Sequence, residues 1–214
     1  IQKCFDDENF RDAESGFDRK PIGQPGQLTL IHSGILYPQE RNPRPFFAAL
    51  RALKDSGEIG PARLQVVLRA TGSDHIYRPM LTELNLTDIV KLAPTANYRE
   101  ALREMLVADG LLLFQASICN HQVPAKLYEY LRAGRPIFTL TDPIGNTADV
   151  LRAAEAMDIV NIADADDITV GLRHFLGRLQ DGSATGARRE IANLHSRRSR
   201  TRELARLLDQ IAIE

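Results

Sequence analysis

The chain predicts an α/β fold: a Rossmann-like, doubly wound parallel sheet of about six strands, with helices on both faces and a long C-terminal helix. Three observations carry this expectation. Short, near-continuous apolar runs recur along the sequence, as strands buried on both faces do. A segment of helical period follows each run. Glycine-, proline- and asparagine-rich turns separate the two kinds of segment. Alternation of this sort is the mark of a parallel sheet, and right-handed crossovers then give the strand order 3-2-1-4-5-6.

Taken in order, residues 1–26 are rich in Asp, Glu, Gly and Pro and lack a sustained period, which reads as a linker or a strap across the surface. Residues 28–34 (LTLIHSG) form the first strand and close on Gly34. After a loop, residues 46–53 (FFAALRAL) have helical period, with Asn42 as a cap before them. Residues 64–68 (LQVVL) are the second strand, ended by a turn at 70–74, and residues 76–84 the next helix. A short third strand at 89–92 leads to an amphipathic helix at 98–107 and a fourth strand at 110–114 (GLLLF). Then come a polar loop, a short helix, a fifth strand at 137–141, a helix at 147–155, a sixth strand at 159–162 and a helix at 168–179. Residues 27–185 therefore make one Rossmann-like domain. Residues 186–214 read as a long, arginine-laden helix with Ile191, Leu194, Leu204, Leu207, Leu208 and Ile211 along its apolar stripe. Its basic cluster could touch an anionic membrane surface, but Glu203 and Asp209 interrupt the charge, which favours a solvated face or a packing brace.

Composition narrows the classes. The 214 residues are 43% apolar, enough for a sizeable core. Charge is nearly balanced, 27 basic against 28 acidic residues, and tryptophan is absent, so a general nucleic-acid binder is not expected. Cys4 and Cys119 lack the spacing of a metal site or redox motif. No apolar run approaches the roughly 18 residues needed to span a bilayer. The chain opens at Ile1, without methionine, in an acidic stretch, which suggests a piece of a longer protein.

Ligands of doubly wound sheets bind beyond the carboxyl ends of the strands, where the winding reverses. Here that point lies between the first and fourth strands, at Ser33-Gly34-Ile35 and residues 115–124. The turn after the first strand has a single glycine, so the G-x-G-x-x-G of NAD or FAD sites is missing, as are a Walker A loop and a G-x-S-x-G elbow. What remains is the run 120–136 (NHQVPAKLYEYLRAGRP). Pro124 suits a first helical turn, Gly134 suits the helix end, and Pro136 forbids continuation. Lys126 and Glu129 share a face at the helix start, where free N–H groups and a lysine suit an anion such as phosphate. The alternative is a surface ion pair between the two.

That run, with 31–37 (IHSGILY), Arg41-Asn42-Pro43-Arg44 and 98–102 (YREAL), resembles the donor-site signature of GT-B glycosyltransferases. More narrowly it is similar to the group 1, family 4-like enzymes of bacterial exopolysaccharide and lipopolysaccharide assembly. Residues 5–10 (FDDENF) resemble the hinge segment that enters the C-terminal domain of that family. The resemblance implies the nucleotide-sugar half of a two-domain enzyme that transfers a hexose from a UDP- or GDP-linked donor with retention. An N-terminal half would bind the acceptor. No cofactor and no metal are then required, no nucleic acid is a partner, and the enzyme is cytoplasmic, with peripheral contact at the inner membrane face open to it. Lys126 and Glu129 would be the catalytic pair, Lys126 facing the diphosphate and Glu129 the ribose hydroxyls. Gly34 would let backbone N–H groups approach the phosphates, Arg41 or Arg44 would supply a further cation, and the base would lie near Ala93, Pro94 and Thr95. Gln115, His121, Gln122, Val123, Pro124 and Leu127 complete the implied donor-binding set. One departure stands out: the family's first glutamate, eight positions before the second, is His121 here. His32 has no evident partner in the sequence and reads as core or loop lining. An epimerase of the same architecture would need acid–base carboxylates and histidines that are not seen, and a catalytically degenerate sugar-nucleotide binder is kept open by His121.

Overall fold

In a computed structural model that describes residues 3–212, a first helix, α1 (Asp7–Glu14), precedes the sheet. Strands β1 (Leu28–Ser33), β2 (Leu64–Arg69), β3 (Val90–Ala93), β4 (Gly110–Gln115), β5 (Ile137–Thr141) and β6 (Ile159–Asn161) follow. They form one parallel sheet in the order β3-β2-β1-β4-β5-β6, the order expected. The intervening helices are α2 (Arg44–Asp55), α3 (Asp74–Glu83), α4 (Tyr98–Val107), α5 (Ala125–Ala133), α6 (Asn146–Ala153) and α7 (Ala165–Gln180).

Alternation along each strand splits the core in two. Leu30, Val66, Leu68, Leu112, Phe114, Phe138 and Leu140 pack against α2, α3 and α7 on one face. Ile31, Val67, Leu111, Leu113 and Ile137 pack against α1, α4 and α5 on the other. Strand β4 is buried at all six positions, as a central strand covered on both sides must be. Helix α4 is the crossover that carries the chain from β3 past β1 to β4, so the winding reverses between β1 and β4.

Several boundaries differ from the expectation. The stretch read as a linker contains α1, whose Asp6 cap accepts the Glu8 N–H at 3.0 Å and whose Phe10 and Ala13 are buried. Arg132 of α5 ties it down, donating to Asp7 Oδ1 at 2.7 Å and Glu14 Oε1 at 3.2 Å. Two buried positions in eight residues give too weak a period to notice among so many acids. The C-terminal arm is two helices, α8 (Arg189–Leu194) and α9 (Arg197–Ala212). They part at His195–Ser196, where Phe5 N–H donates to His195 O and Arg197 N–H donates to Phe5 O. Ile191 packs on the core, whereas Leu194, Leu204, Leu207, Leu208 and Ile211 of the predicted stripe are exposed. Pro43, not Asn42, is the N-cap of α2, although Asn42 Oδ1 accepts the Arg44 N–H at 3.1 Å. Pro124 is likewise the N-cap of α5 rather than its first residue. Gly134 closes α5 in the left-handed conformation, as expected. Among the described residues, no helix is long and apolar enough to cross a membrane.

Candidate functional site

The β4–α5 loop is held in shape by its own polar groups. Gln115, buried at the end of β4, donates to the carbonyls of Cys119 and Gln122, both at 3.3 Å. Asn120 Nδ2 donates to Asp142 Oδ2 and Ile144 O, each at 2.8 Å, and Thr147 Oγ1 donates to Gln122 O. A single 3₁₀ turn, Ser117–Cys119, absorbs the loop's excess length. The loop therefore delivers the first turn of α5 to the carboxyl end of β1; Leu127 N–H donates to Pro124 O at 3.0 Å, and the N–H groups of Ala125 and Lys126 lead the helix.

Lys126 points from that turn into the space under Gly34. A Cβ on Gly34 would lie 3.0 Å from Lys126 Nζ and crowd it, and the backbone there has φ +112°, a conformation that favours glycine. The Gly34 N–H itself donates to Arg69 O at 2.9 Å, and the bare Cα leaves room for the lysine. Lys126 Nζ lies 3.0 Å from His32 Nε2, and His32 Nδ1 lies 2.9 Å from Leu112 O. Burial first, then the nearby Arg41 guanidinium, lower the Lys126 amine to about 7, against a smaller opposing pull from Glu129. Burial, and next the charge of Lys126, hold His32 well below its ordinary value. Arg41 donates to Ile35 O at 2.8 Å and lies over the Tyr37 ring. Tyr130 of α5, fully buried, accepts the Ser33 N–H at 3.1 Å and locks α5 to the end of β1.

Glu129 sits one turn further along. No ion pair joins it to Lys126; instead Tyr98 at the start of α4 donates its hydroxyl to Glu129 Oε1 at 2.7 Å. Burial raises the Glu129 carboxyl, and the Tyr98 hydrogen bond and Lys126 pull it back down. The surface-ion-pair alternative thus gives way to a partly buried carboxylate with a phenol partner.

Gly34, Arg41, Lys126 and Glu129 are therefore brought together. Thr95 is exposed on the flank of α4, where it lines a cavity of about 500 Å³ with Phe17, Arg69 and Arg103. Arg44 is exposed and lies by Tyr77 of α3, which leaves Arg41 as the cation of that pair near the lysine. Gln115, Pro124 and Leu127 are buried, and Val123 packs on the core. His121 and Gln122 are exposed. His32, read as core or loop lining, is fully buried; its contact with Lys126 and the Tyr98 bond to Glu129 were not foreseen. The predicted strand order placed His32 beside β4, and that adjacency was the available signal. Among the described residues no group of three His, Cys, Asp or Glu side chains is arranged to hold a metal ion.

A six-stranded parallel sheet in this order is a doubly wound, Rossmann-type arrangement. Solved structures with this fold include a glycosyltransferase from Rickettsia africae (TM-score 0.72, 13% identity, 99% of this chain and 56% of that one). They also include an alpha,alpha-trehalose 6-phosphate synthase from Burkholderia multivorans (0.66, 12%, 99% and 50%). A third is the sucrose-phosphate synthase of Thermosynechococcus elongatus (0.64, 14%, 99% and 52%). This chain spans about half the length of each, and at such identities the likeness is one of fold. No family model and no curated relative matches the chain.

Proposed function

We propose that this chain is the donor-binding half of a glycosyltransferase that moves a sugar from a nucleoside-diphosphate sugar to an acceptor hydroxyl. The observation that carries the reading is Lys126 under the Gly34 turn, with Arg41 beside it and Glu129 one helical turn away, at the reversal point of a GT-B-type sheet. A diphosphate at this place meets two cations and the N-terminus of α5. As the sugar–oxygen bond breaks, negative charge collects on the leaving diphosphate, and those fixed positive groups stabilise it without reorganising. Lys126 and Arg41 would then do part of what a divalent ion does in metal-dependent transferases. Glu129 accepts the ribose hydroxyls; its carboxylate has room for them beside the Tyr98 bond because two oxygens offer about four acceptor sites.

The donor is UDP- or GDP-linked and the transfer retains configuration, as the family resemblance implies. The acceptor belongs to a partner half of the enzyme, entered through the segment around Phe5 to Phe10, in bacterial polysaccharide or glycolipid assembly. A second reading, a sugar-nucleotide binder without transfer activity, is favoured by one feature. His121, exposed on the loop, stands where the family carries the glutamate that contacts the transferred sugar.

Thermal unfolding of this chain with UDP, GDP and ADP tests the site. At a ligand concentration a hundred times the dissociation constant, stabilisation of about 2.7 kcal/mol and a rise of several degrees are expected. Glu129→Ala should abolish the rise with the preferred nucleotide. An unchanged rise in that variant sinks the assigned site.

A further inference from the structure

His32 has no role in the reading above, yet it is fully buried at the end of β1 with both ring nitrogens engaged. We propose that His32 is the positioning residue of the anion site: an uncharged hydrogen-bond acceptor that holds the Lys126 amine beneath the Gly34 turn. The inference rests on the donor-site reading and gives it a second, separable part.

The tautomer follows from the partners. A backbone carbonyl can only accept, so the 2.9 Å contact with Leu112 O requires the proton on Nδ1. Nε2 then carries a lone pair, and Lys126 Nζ, 3.0 Å away, is its donor. The ring stands edge-on to Phe114 with centroids 5.2 Å apart, so it is packed as well as bonded. A charged imidazolium in this place would turn two donors toward each other across 3.0 Å and would also lie in a dry pocket. His32 is therefore neutral, and neutral is the state in which it can aim a lysine.

The same geometry sets a proton balance. The groups facing Lys126 are His32 from β1, Arg41 from the loop after it and Glu129 from its own helix, with Tyr130 bonded to Ser33 beside them. Glu129 through its charge and His32 through its acceptor lone pair favour the charged amine, and the amine titrates near neutrality. An arriving phosphate adds negative charge next to Nζ and favours the ammonium, so binding draws one proton from water to Lys126 over the pH range where the free amine is unprotonated. Affinity for the anion accordingly falls as pH rises above about 7.

Calorimetric titration of this chain with UDP from pH 6.5 to 8.5 is the test, with Lys126→Arg as the reference that keeps its charge throughout. Across that range the wild-type affinity should fall about ten- to thirty-fold relative to Lys126→Arg, since the protonated fraction of a group titrating near 7 falls by about that factor. His32→Leu should weaken UDP binding about tenfold at pH 6.5 and displace the pH profile to lower pH. His32→Gln, whose amide oxygen can accept from Lys126, should recover most of both. Equal affinity and an unmoved profile in folded His32→Leu overturn the inference while leaving the site reading intact; binding of neither UDP nor GDP by the wild type, the same titration being run with each, overturns both. Nitrogen NMR of the wild-type ring needs no variant to fold. It should show an uncharged, Nδ1-protonated His32 throughout this pH range, and an Nε2-protonated or titrating ring overturns the inference.

Discussion

Helices α5 and α9 carry similar sequence signals and meet opposite surroundings. The nine residues of α5 bury Leu127, Tyr128, Tyr130 and Leu131. The sixteen residues of α9 leave Leu204, Leu207, Leu208 and Ile211 exposed. Helix α5 is also bonded outward at three levels: Lys126 to His32, Tyr130 to Ser33, and Arg132 to Asp7 and Glu14. Helix α9 is anchored mainly at its first turn, through the Phe5 backbone and the ion pair of Arg197 with Asp6 at 2.5 Å. An apolar period says that a helix has a face suited to burial, and only the neighbouring elements decide whether the face is buried.

The largest effect expected from that contrast is on stability. Leu131→Ala removes a side chain 1% exposed between α5 and the sheet, and should cost about 2–5 kcal/mol through lost transfer energy and a residual cavity. Leu208→Ala, at a position 56% exposed, should change stability by no more than about 0.5 kcal/mol. Urea denaturation of the two variants at constant m-value measures both. A cost above about 2 kcal/mol for Leu208→Ala would mean that α9 is covered in solution and would erase the contrast.

This difference also marks how far the sequence could be read. The six apolar runs were separable because apolar residues dominate each and turn residues bound it, with β4 and β5 buried throughout and the edge strands β3 and β6 only in part, so strand order and reversal point followed from general rules. Lys126 and Glu129 were legible because Pro124 and Gly134 bracket their helix. Helix α1 was not, since a short helix with two buried positions owes its form to Arg132 and α4, which are distant in sequence. The break at His195–Ser196 was hidden for the same reason: Phe5, nearly two hundred residues earlier, supplies the backbone partners that end α8 and start α9. Tyr98 and His32 acquire their partners only when α4 and β1 are brought beside α5. Arg41 and Arg44 could not be told apart by spacing; the α2 cap, fixed at Pro43, puts one by the lysine and the other by α3.

An intermediate effect is expected at the Gly34 turn, where the site and the sheet end meet. Gly34→Ala forces a side chain into a left-handed backbone, at a cost of about 1–2 kcal/mol. Its Cβ would also crowd Lys126 Nζ. Because Nζ is the far end of a flexible chain, it can swing away, so the loss should appear more in nucleotide binding than in folding. UDP titration and urea denaturation of the same variant separate the two. A loss of binding no larger than the loss of stability would argue that Lys126 does not need its place under Gly34.

The smallest effect on stability, and the sharpest on charge, is expected at Tyr98. Its hydroxyl is on a side chain about half exposed, so water can replace it on Glu129 Oε1, and Tyr98→Phe should alter folding free energy by no more than about 0.5 kcal/mol near neutrality. The titration should still move. Tyr98 stabilises the ionised carboxyl, and without it the Glu129 carboxyl, already raised by burial, should rise further. The sign for folding follows from proton counts. A carboxyl raised in the folded state binds more protons folded than unfolded as pH climbs from the ordinary glutamate range to its folded value, so stability declines across that window. Tyr98→Phe should extend the window upward. Carbon NMR of the Glu129 carboxyl across pH 3–8 reads the shift directly. A midpoint that falls or stays put on removal of the phenol would show that Tyr98 does not donate to the ionised carboxylate, and that α4 reaches the site by packing alone.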